Sequence, residues 1–340
     1  MTAPKPLSTS QEAAFDDLYE RGWTDGLPVI PPTPERVEAM VAASGHTASH
    51  SFGFIGPRRG KATVEKVAVN AVMAGCLPDY MPILCAAVSA VADPNFQLDR
   101  IGPWTAPYAP MIVVNGSIAQ KLALSGDYDL FASGARANAT IGRALRLVML
   151  NIGGARPGEV SKSSHGSPGR QGICFAENEA ASPWESYAEE HESRSKGTGQ
   201  NAVTVFAVTG TVPIFYRVIK TNPEDLSNTI AACMKYVEGY ATAYHQDGGL
   251  PVLLLCPIHA KIFASHGWDK NRVREELFKR VDFKPVYGAE SRLNAPTCLT
   301  GGVADERPAR LPILVAGGVA GYHSTFLPTI VGVPPVTRAL

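Results

Sequence analysis

The sequence predicts an α/β protein with a mixed, largely parallel sheet flanked by helices. Three observations carry that expectation. Apolar runs of strand length recur along the chain, helical stripes of apolar residues lie between them, and several runs open into turns rich in Gly, Pro or Asn. With 340 residues, 45% hydrophobic and 18% charged, the chain can build a sizeable core without disulfides. Its 32 glycines and 27 prolines indicate many loops.

Residues 1–33 read as an irregular N-terminal arm, because Gly22-Trp-Thr-Asp-Gly-Leu-Pro28 and Pro31-Pro32 interrupt it too often for a long element. Its apolar Trp23, Leu27, Val29 and Ile30 have no regular pattern in which to be buried locally. The arm is therefore expected to lie across a neighbouring subunit, and the protein to be a homo-oligomer.

Residues 34–154 read as a first α/β half. A helix starts at Pro34 with Thr33 as its cap and Val37, Met40 and Val41 on one face. Thr63 to Ala74 and a helix opening around Pro78 and Pro82 follow, the second ended by Asp93-Pro94. Met111 to Val114 is a strand entering Asn115-Gly116 and a small helix, Ile118 to Leu124. Arg136 to Leu150 is a helix with Ala137, Ile141, Ala144, Leu145 and Val148 inward, stopped by Gly153-Gly154.

Residues 155–201 show no sustained period and read as a long loop or lid. Residues 202–340 read as a second α/β half. Val203 to Val208 and Val212 to Ile219 are expected to form a hairpin, followed by a helix from Asn222 to about Tyr244. Then come a strand at Leu250 to Cys256, helices at Ile258 to Ser265 and Asp269 to Val281, and a strand at Arg310 to Ala316. Placing Met111 on Val252 superposes strand, turn and helix, which suggests an internal duplication of a strand-turn-helix-helix unit. The three strands are expected in one sheet, with the long loop draped over their carboxyl ends.

Lys+Arg and Asp+Glu balance at 31 each, which argues against general attraction to nucleic acid or to an anionic membrane surface. No apolar stretch has the length of a membrane span and the N-terminus does not read as a signal peptide, so the expected location is the cytoplasm. The six cysteines form no Cys-x-x-Cys pair and read mostly as buried free thiols.

Ligands of open α/β sheets gather where strands end and helix N-termini present free N–H groups. Asn115-Gly116, Cys256-Pro-Ile-His259 and Gly317-Gly318-x-x-Gly321-Tyr322-His323 are three such turns, read as lining one pocket. The glycine pattern lacks the G-x-G-x-x-G register, so no dinucleotide is expected, but Gly317 and Gly318 could form a nest for a carboxylate or phosphate. Cys256 and His259 have the spacing of a nucleophile and its base, or of two metal ligands; since Cys256 closes an apolar run, a buried structural thiol is the simpler reading. Arg136, Arg143 and Arg146 share one face of a helix that has Asn138 in its first turn, and can reach an anionic substrate, the long loop or only solvent. Glu177, Asn178 and Glu179 follow a hydrophobic anchor. The two acids could serve as general acid and base, bind a hard cation, or pair with arginines.

Several strings give the chain a family likeness: Arg21-Gly-Trp-Thr-Asp-Gly-Leu-Pro-Val-Ile-Pro-Pro-Thr, Ala71-Val-Met-Ala-Gly-Cys, Val114-Asn-Gly, Arg136-Ala-Asn-Ala-Thr-Ile-Gly-Arg-Ala, Phe175-Ala-Glu-Asn-Glu with Ser182-Pro-Trp, and His266-Gly-Trp-Asp-Lys. They span most of the sequence, which resembles an uncharacterised bacterial family associated with selenoprotein-like proteins of the Sec/Cys-Gly-Ser-Cys (UGSC) type. This chain lacks that redox motif. If the resemblance implies thiol or selenol redox, the reactive pair comes from a partner subunit.

These readings converge on an enzyme or enzyme subunit acting on a small anionic, carboxylate-bearing substrate by thiol-dependent redox or lyase chemistry. Glu177, Cys256 and His259 are the catalytic candidates. Asn115, Arg136, Asn138, Arg143, Asn178, Gly317, Gly318 and His323 are the substrate-binding candidates. Two alternatives stand beside it: a hydrolase or lyase using a divalent metal at Glu177, Glu179 and His259, and a non-catalytic scaffold subunit. The cofactor, if there is one, is not specified by any motif.

Overall fold

A computed structural model describes residues 11–132, 134–191, 201–217, 222–236, 251–281, 311–330 and 333–340. In chain order the elements are α1 (Gln11–Glu20), α2 (Pro34–Ala43), β1 (Ser51–Ile55), β2 (Gly60–Thr63), α3 (Val64–Ala74), α4 (Met81–Ala92), α5 (Leu98–Ile101), β3 (Ala109–Asn115), α6 (Ser117–Lys121) and α7 (Arg136–Asn151). They continue with β4 (Ile173–Ala176), α8 (Tyr187–Glu190), β5 (Ala202–Val208), β6 (Val212–Phe215), α9 (Pro223–Tyr236), β7 (Val252–Leu255), α10 (Pro257–Ser265), α11 (Lys270–Arg280), β8 (Ile313–Val315), β9 (His323–Leu327) and β10 (Val336–Ala339). The expected stretches beyond Tyr236, at Leu250, at Arg310 and at Ile219, and also Cys298, lie outside the described residues.

The fold is α/β with mixed sheets, built in four layers. One sheet has the order β10-β5-β3-β4 and the other β6-β9-β7-β8, beside a separate β1-β2 hairpin. Alternate residues of each strand point to opposite faces, and three hydrophobic clusters record this. Met111, Val113, Ile173, Phe175 and Phe206 of the first sheet meet Val252, Leu254, Leu314 and Leu327 of the second in a central layer. Ile112, Val114, Val203 and Val205 face α3, α4 and α7 on one outer side. Leu253, Leu255, Ile313 and Phe326 face α9, α10 and α11 on the other. Central strands are thus covered on both faces, which explains why they read as unbroken apolar runs.

Both sheets share one pattern. A parallel pair (β3 with β4; β7 with β8) is extended on the other side of the first strand by two antiparallel strands. The fourth strand is exchanged: β6 follows β5 in sequence but pairs with β9, and β10 follows β9 but pairs with β5.

Three expectations are corrected here. The single largely parallel sheet is two sheets in which antiparallel ladders outnumber parallel ones, and β3 does not share a sheet with β7 and β8. The hairpin expected from Val203 to Ile219 does not form, because β5 and β6 part into different sheets. The stretch 155–201, expected as a long loop or lid, contains in its described part, 155–191 and Asn201, the buried strand β4 and the short helix α8. The chain approaches β4 at the amino end of β3, where Arg170 bonds Tyr108 O, and leaves it at the carboxyl end beside Asn115.

The N-terminal arm contains α1 and folds back on its own chain. Leu18 and Val29 are buried and Ile30 packs on the same cluster, whereas Trp23 and Leu27 stay exposed. Arg143 holds the arm down with a two-pronged bond to Asp25. Part of its apolar surface is thus covered within the subunit, while Trp23, Leu27 and Tyr19 remain open to solvent. Among the described residues, no helix is long and apolar enough to cross a membrane.

Candidate functional site

At the carboxyl end of β3, Asn115 is fully buried and its amide nitrogen donates to both Glu177 (2.7 Å) and Glu179 (2.9 Å). Glu179 also takes the Gly116 N–H, and Glu177 takes the N–H groups of Tyr187 and Val315. The three predicted residues do meet. Their geometry is that of a clasp: N–H donors inside the protein engage both carboxylates. Burial pushes the Glu177 carboxyl above its ordinary range, against the opposing pull of Lys270 and of these donors. The side-chain oxygen of Asn115 is buried with no hydrogen-bond partner.

Asn178 ties the same end of β4 to β8, its N–H donating to Val315 O, and its side chain closes a turn onto Ala181. The Gly317 N–H, expected to be free for an anion, is taken by Gly126 O. The Tyr128 ring lies so close over Gly318 that a Cβ there would overlap it. His323 is exposed and packs against Phe215 with ring centres 4.9 Å apart.

Cys256 and His259 are brought together by a residue that had no signal in the sequence, Ser324. Its hydroxyl accepts from the Cys256 N–H at 3.0 Å and lies 2.7 Å from His259 Nδ1. His259 Nε2 faces the Tyr216 carbonyl at 3.0 Å. A carbonyl only accepts, so Nε2 carries the proton, Nδ1 is left as acceptor, and the Ser324 O–H donates to it. Burial holds the His259 pKa below its ordinary value, against the raising effect of the Tyr216 carbonyl. The Cys256 thiol donates to Gly321 O, and burial pushes its pKa up. Cys256, His259 and Ser324 are all under 4% exposed, so both ring nitrogens and the thiol are committed inside the protein. Among the described residues no three His, Cys, Asp or Glu side chains form a group able to hold a metal ion; His259 does not join Glu177 and Glu179.

The arginines of α7 have three different fates. Arg136 caps the end of α3 by donating twice to Gly75 O. Arg143 is bound to Asp25 and to Leu27 O and Pro28 O. Burial alone would raise the Asp25 carboxyl, but this guanidinium outweighs it and holds the carboxyl below its ordinary range. Asn138 bonds the Ser125 backbone through both ends of its amide. Arg146 has no hydrogen-bond or ion-pair partner among the described residues. It faces a cavity of about 740 Å³ between the arm, α7 and the Ser-rich stretch Ser161-Lys-Ser-Ser-His-Gly-Ser-Pro-Gly-Arg170.

Arg170 lines the same cavity. It donates to Tyr108 O (2.9 Å) and Ser161 Oγ (2.8 Å), its guanidinium carbon lies 5.1 Å from the centre of the Tyr108 ring, and it pairs with no carboxylate among the described residues. Ser163, on the same wall, has a buried hydroxyl with no partner. Burial, with the neighbouring Arg170 charge added, lowers the Arg146 pKa from its ordinary value against the opposing pull of Tyr108 and of the Asp25 carboxylate. The cavity thus gathers two guanidinium groups and an unsatisfied hydroxyl, with one carboxylate on its lining, Asp25, that is bound by Arg143. His165, exposed, lines the same cavity.

The sequence showed Arg146 on the helix face but could not separate it from Arg136 and Arg143. Arg170 and Ser163 were missed, although five residues from Ser161 to Ser167 are Ser or His, a density that was itself a signal. Comparisons with protein-family models, with curated proteins and with solved structures find no match for this chain. Its chemistry is read from the geometry alone.

Proposed function

We propose that the chain binds a small oxyanion, a carboxylate or phosphate group carried by a metabolite, between Arg146 and Arg170, and that it serves as an enzyme or enzyme subunit acting on that molecule. One observation carries the reading: Arg146, half-buried and without a hydrogen-bond or ion-pair partner among the described residues, faces a cavity it shares with a second arginine, Arg170, while the carboxylate on that lining, Asp25, is already held by Arg143. A buried charge is costly unless paired. A bound anion supplies the pair and the acceptor that the Ser163 hydroxyl lacks. Thiol or selenol redox with a partner subunit, suggested by the family resemblance, is kept as the chemical class to be tried, with the reactive sulfur supplied in trans because Cys256 is engaged.

Calorimetric titration of the full chain with inorganic phosphate and with butanoate at low ionic strength tests the reading, because salt screens such contacts. Wild-type protein is expected to bind one of them. Arg146→Gln is expected to weaken that binding about tenfold or more and to fold normally, since the side chain holds nothing else in place. Equal binding by the variant, or none by the wild type, overturns the proposal.

A further inference from the structure

A second cavity, of about 420 Å³, adjoins the first. The two share Leu27, Ser167, Pro168 and Gln171 as a common wall. Beyond that wall the lining turns apolar, with Phe131, Ile173 and Val208 facing the space. Its one charged side chain is Arg143, already bound to Asp25. Phe131 is 42% exposed and Leu27 47%, although the Phe131 ring packs edge-on against the buried Phe175 at 5.9 Å. Large apolar side chains left open beside a cationic pocket are a binding surface rather than a core.

From this juxtaposition we infer the class of ligand: an amphipathic carboxylate whose head sits between Arg146 and Arg170 and whose aromatic ring or short acyl chain covers Phe131 and Leu27. The inference rests on the anion-binding reading above and adds the second cavity to it. A ligand of this kind is matched at both ends. The head meets Arg146 and Arg170, neither of which forms an ion pair among the described residues, and the tail removes exposed apolar surface from water where no free charge competes for it. Inorganic phosphate or acetate fills only the first half.

Titration of the full chain with butanoate, hexanoate and 3-phenylpropanoate, with inorganic phosphate as the tail-free control, tests it. Each added methylene that enters the apolar cavity is expected to tighten binding about fourfold. Phe131→Ala is expected to weaken 3-phenylpropanoate binding about tenfold and to leave the binding of phosphate unchanged. Leu27→Ser, on the shared wall, is expected to act in the same direction, so the conclusion does not depend on one variant folding. Affinity that is flat along the series, while Arg146-dependent phosphate binding persists, overturns the amphipathic class and leaves the anion site standing. Loss of all Arg146-dependent binding overturns both.

Discussion

Glu177 accepts the backbone N–H of Val315 at 3.3 Å, so a carboxylate at the end of β4 in one sheet is bonded to the last residue of β8 in the other. The same side chain holds Asn115 of β3 and the first N–H of α8. One buried acid thus fastens both sheets where their parallel pairs end.

Glu177→Ala leaves three buried donors without an acceptor and is expected to cost about 3 kcal/mol of stability, measured by urea denaturation. The pH dependence follows from the raised pKa. The folded chain keeps this proton above the ordinary value of 4.5, where the unfolded chain has released it. The contribution of Glu177 to stability is therefore greatest below 4.5 and declines as pH rises through the folded-state value. Glu177→Gln removes that decline, and a difference between wild type and this variant that does not change with pH would show that the carboxyl titrates normally.

The thiols provide a test of whether any sulfur of this chain is reactive. Burial pushes Cys76 and Cys85 up to about 12 and also raises Cys174, Cys256 and the half-buried Cys233. Since the thiolate is the reacting species, iodoacetamide at pH 8 is expected to leave Cys76, Cys85, Cys174 and Cys256 unmodified in the folded protein, with Cys233 the first of the five to react. Mass spectrometry of peptides from briefly treated protein reads this directly. Rapid labelling of Cys256 would restore it as a nucleophile.

Strand exchange makes the C-terminus part of the first half. β10 pairs with β5, and Arg338 reaches back to Ser89 Oγ at 3.1 Å and to Asp93, both at the end of α4. Deleting residues 334–340 is expected to speed amide hydrogen exchange at least tenfold, about 1.4 kcal/mol, at the β5 amides that face β10. The amides of β6 and β9 are expected to be unaffected. Equal loss in both sheets would mean that the two unfold as one unit.

The helices were legible from local pattern. α3, α4 and α7 begin and end within a few residues of where their caps and apolar stripes place them, because period and termination are properties of neighbouring residues. β4 was hidden because Ile173 to Ala176 is only four residues long, buried throughout, and lies between segments rich in Gly, Ser and Pro. The turns at Asn115 and Gly317 do draw together, but the Gly317 N–H that a nest would use is consumed by Gly126 O.

By itself the sequence determined which segments avoid water and with what period, hence the α/β class, the main helices and the central strands. Only the tertiary structure decided how those strands pair, since β5 and β6 are neighbours in the chain yet complete different sheets. It also decided what each arginine of α7 does. Arg136, Arg143 and Arg146 are the same residue type on one helical face, and their roles differ through what lies opposite: Gly75 O, the Asp25 carboxylate, or an open cavity shared with Arg170. Periodicity is set by residues three or four apart, whereas a charge finds its partner, or is left without one, through contacts more than a hundred residues away in the chain.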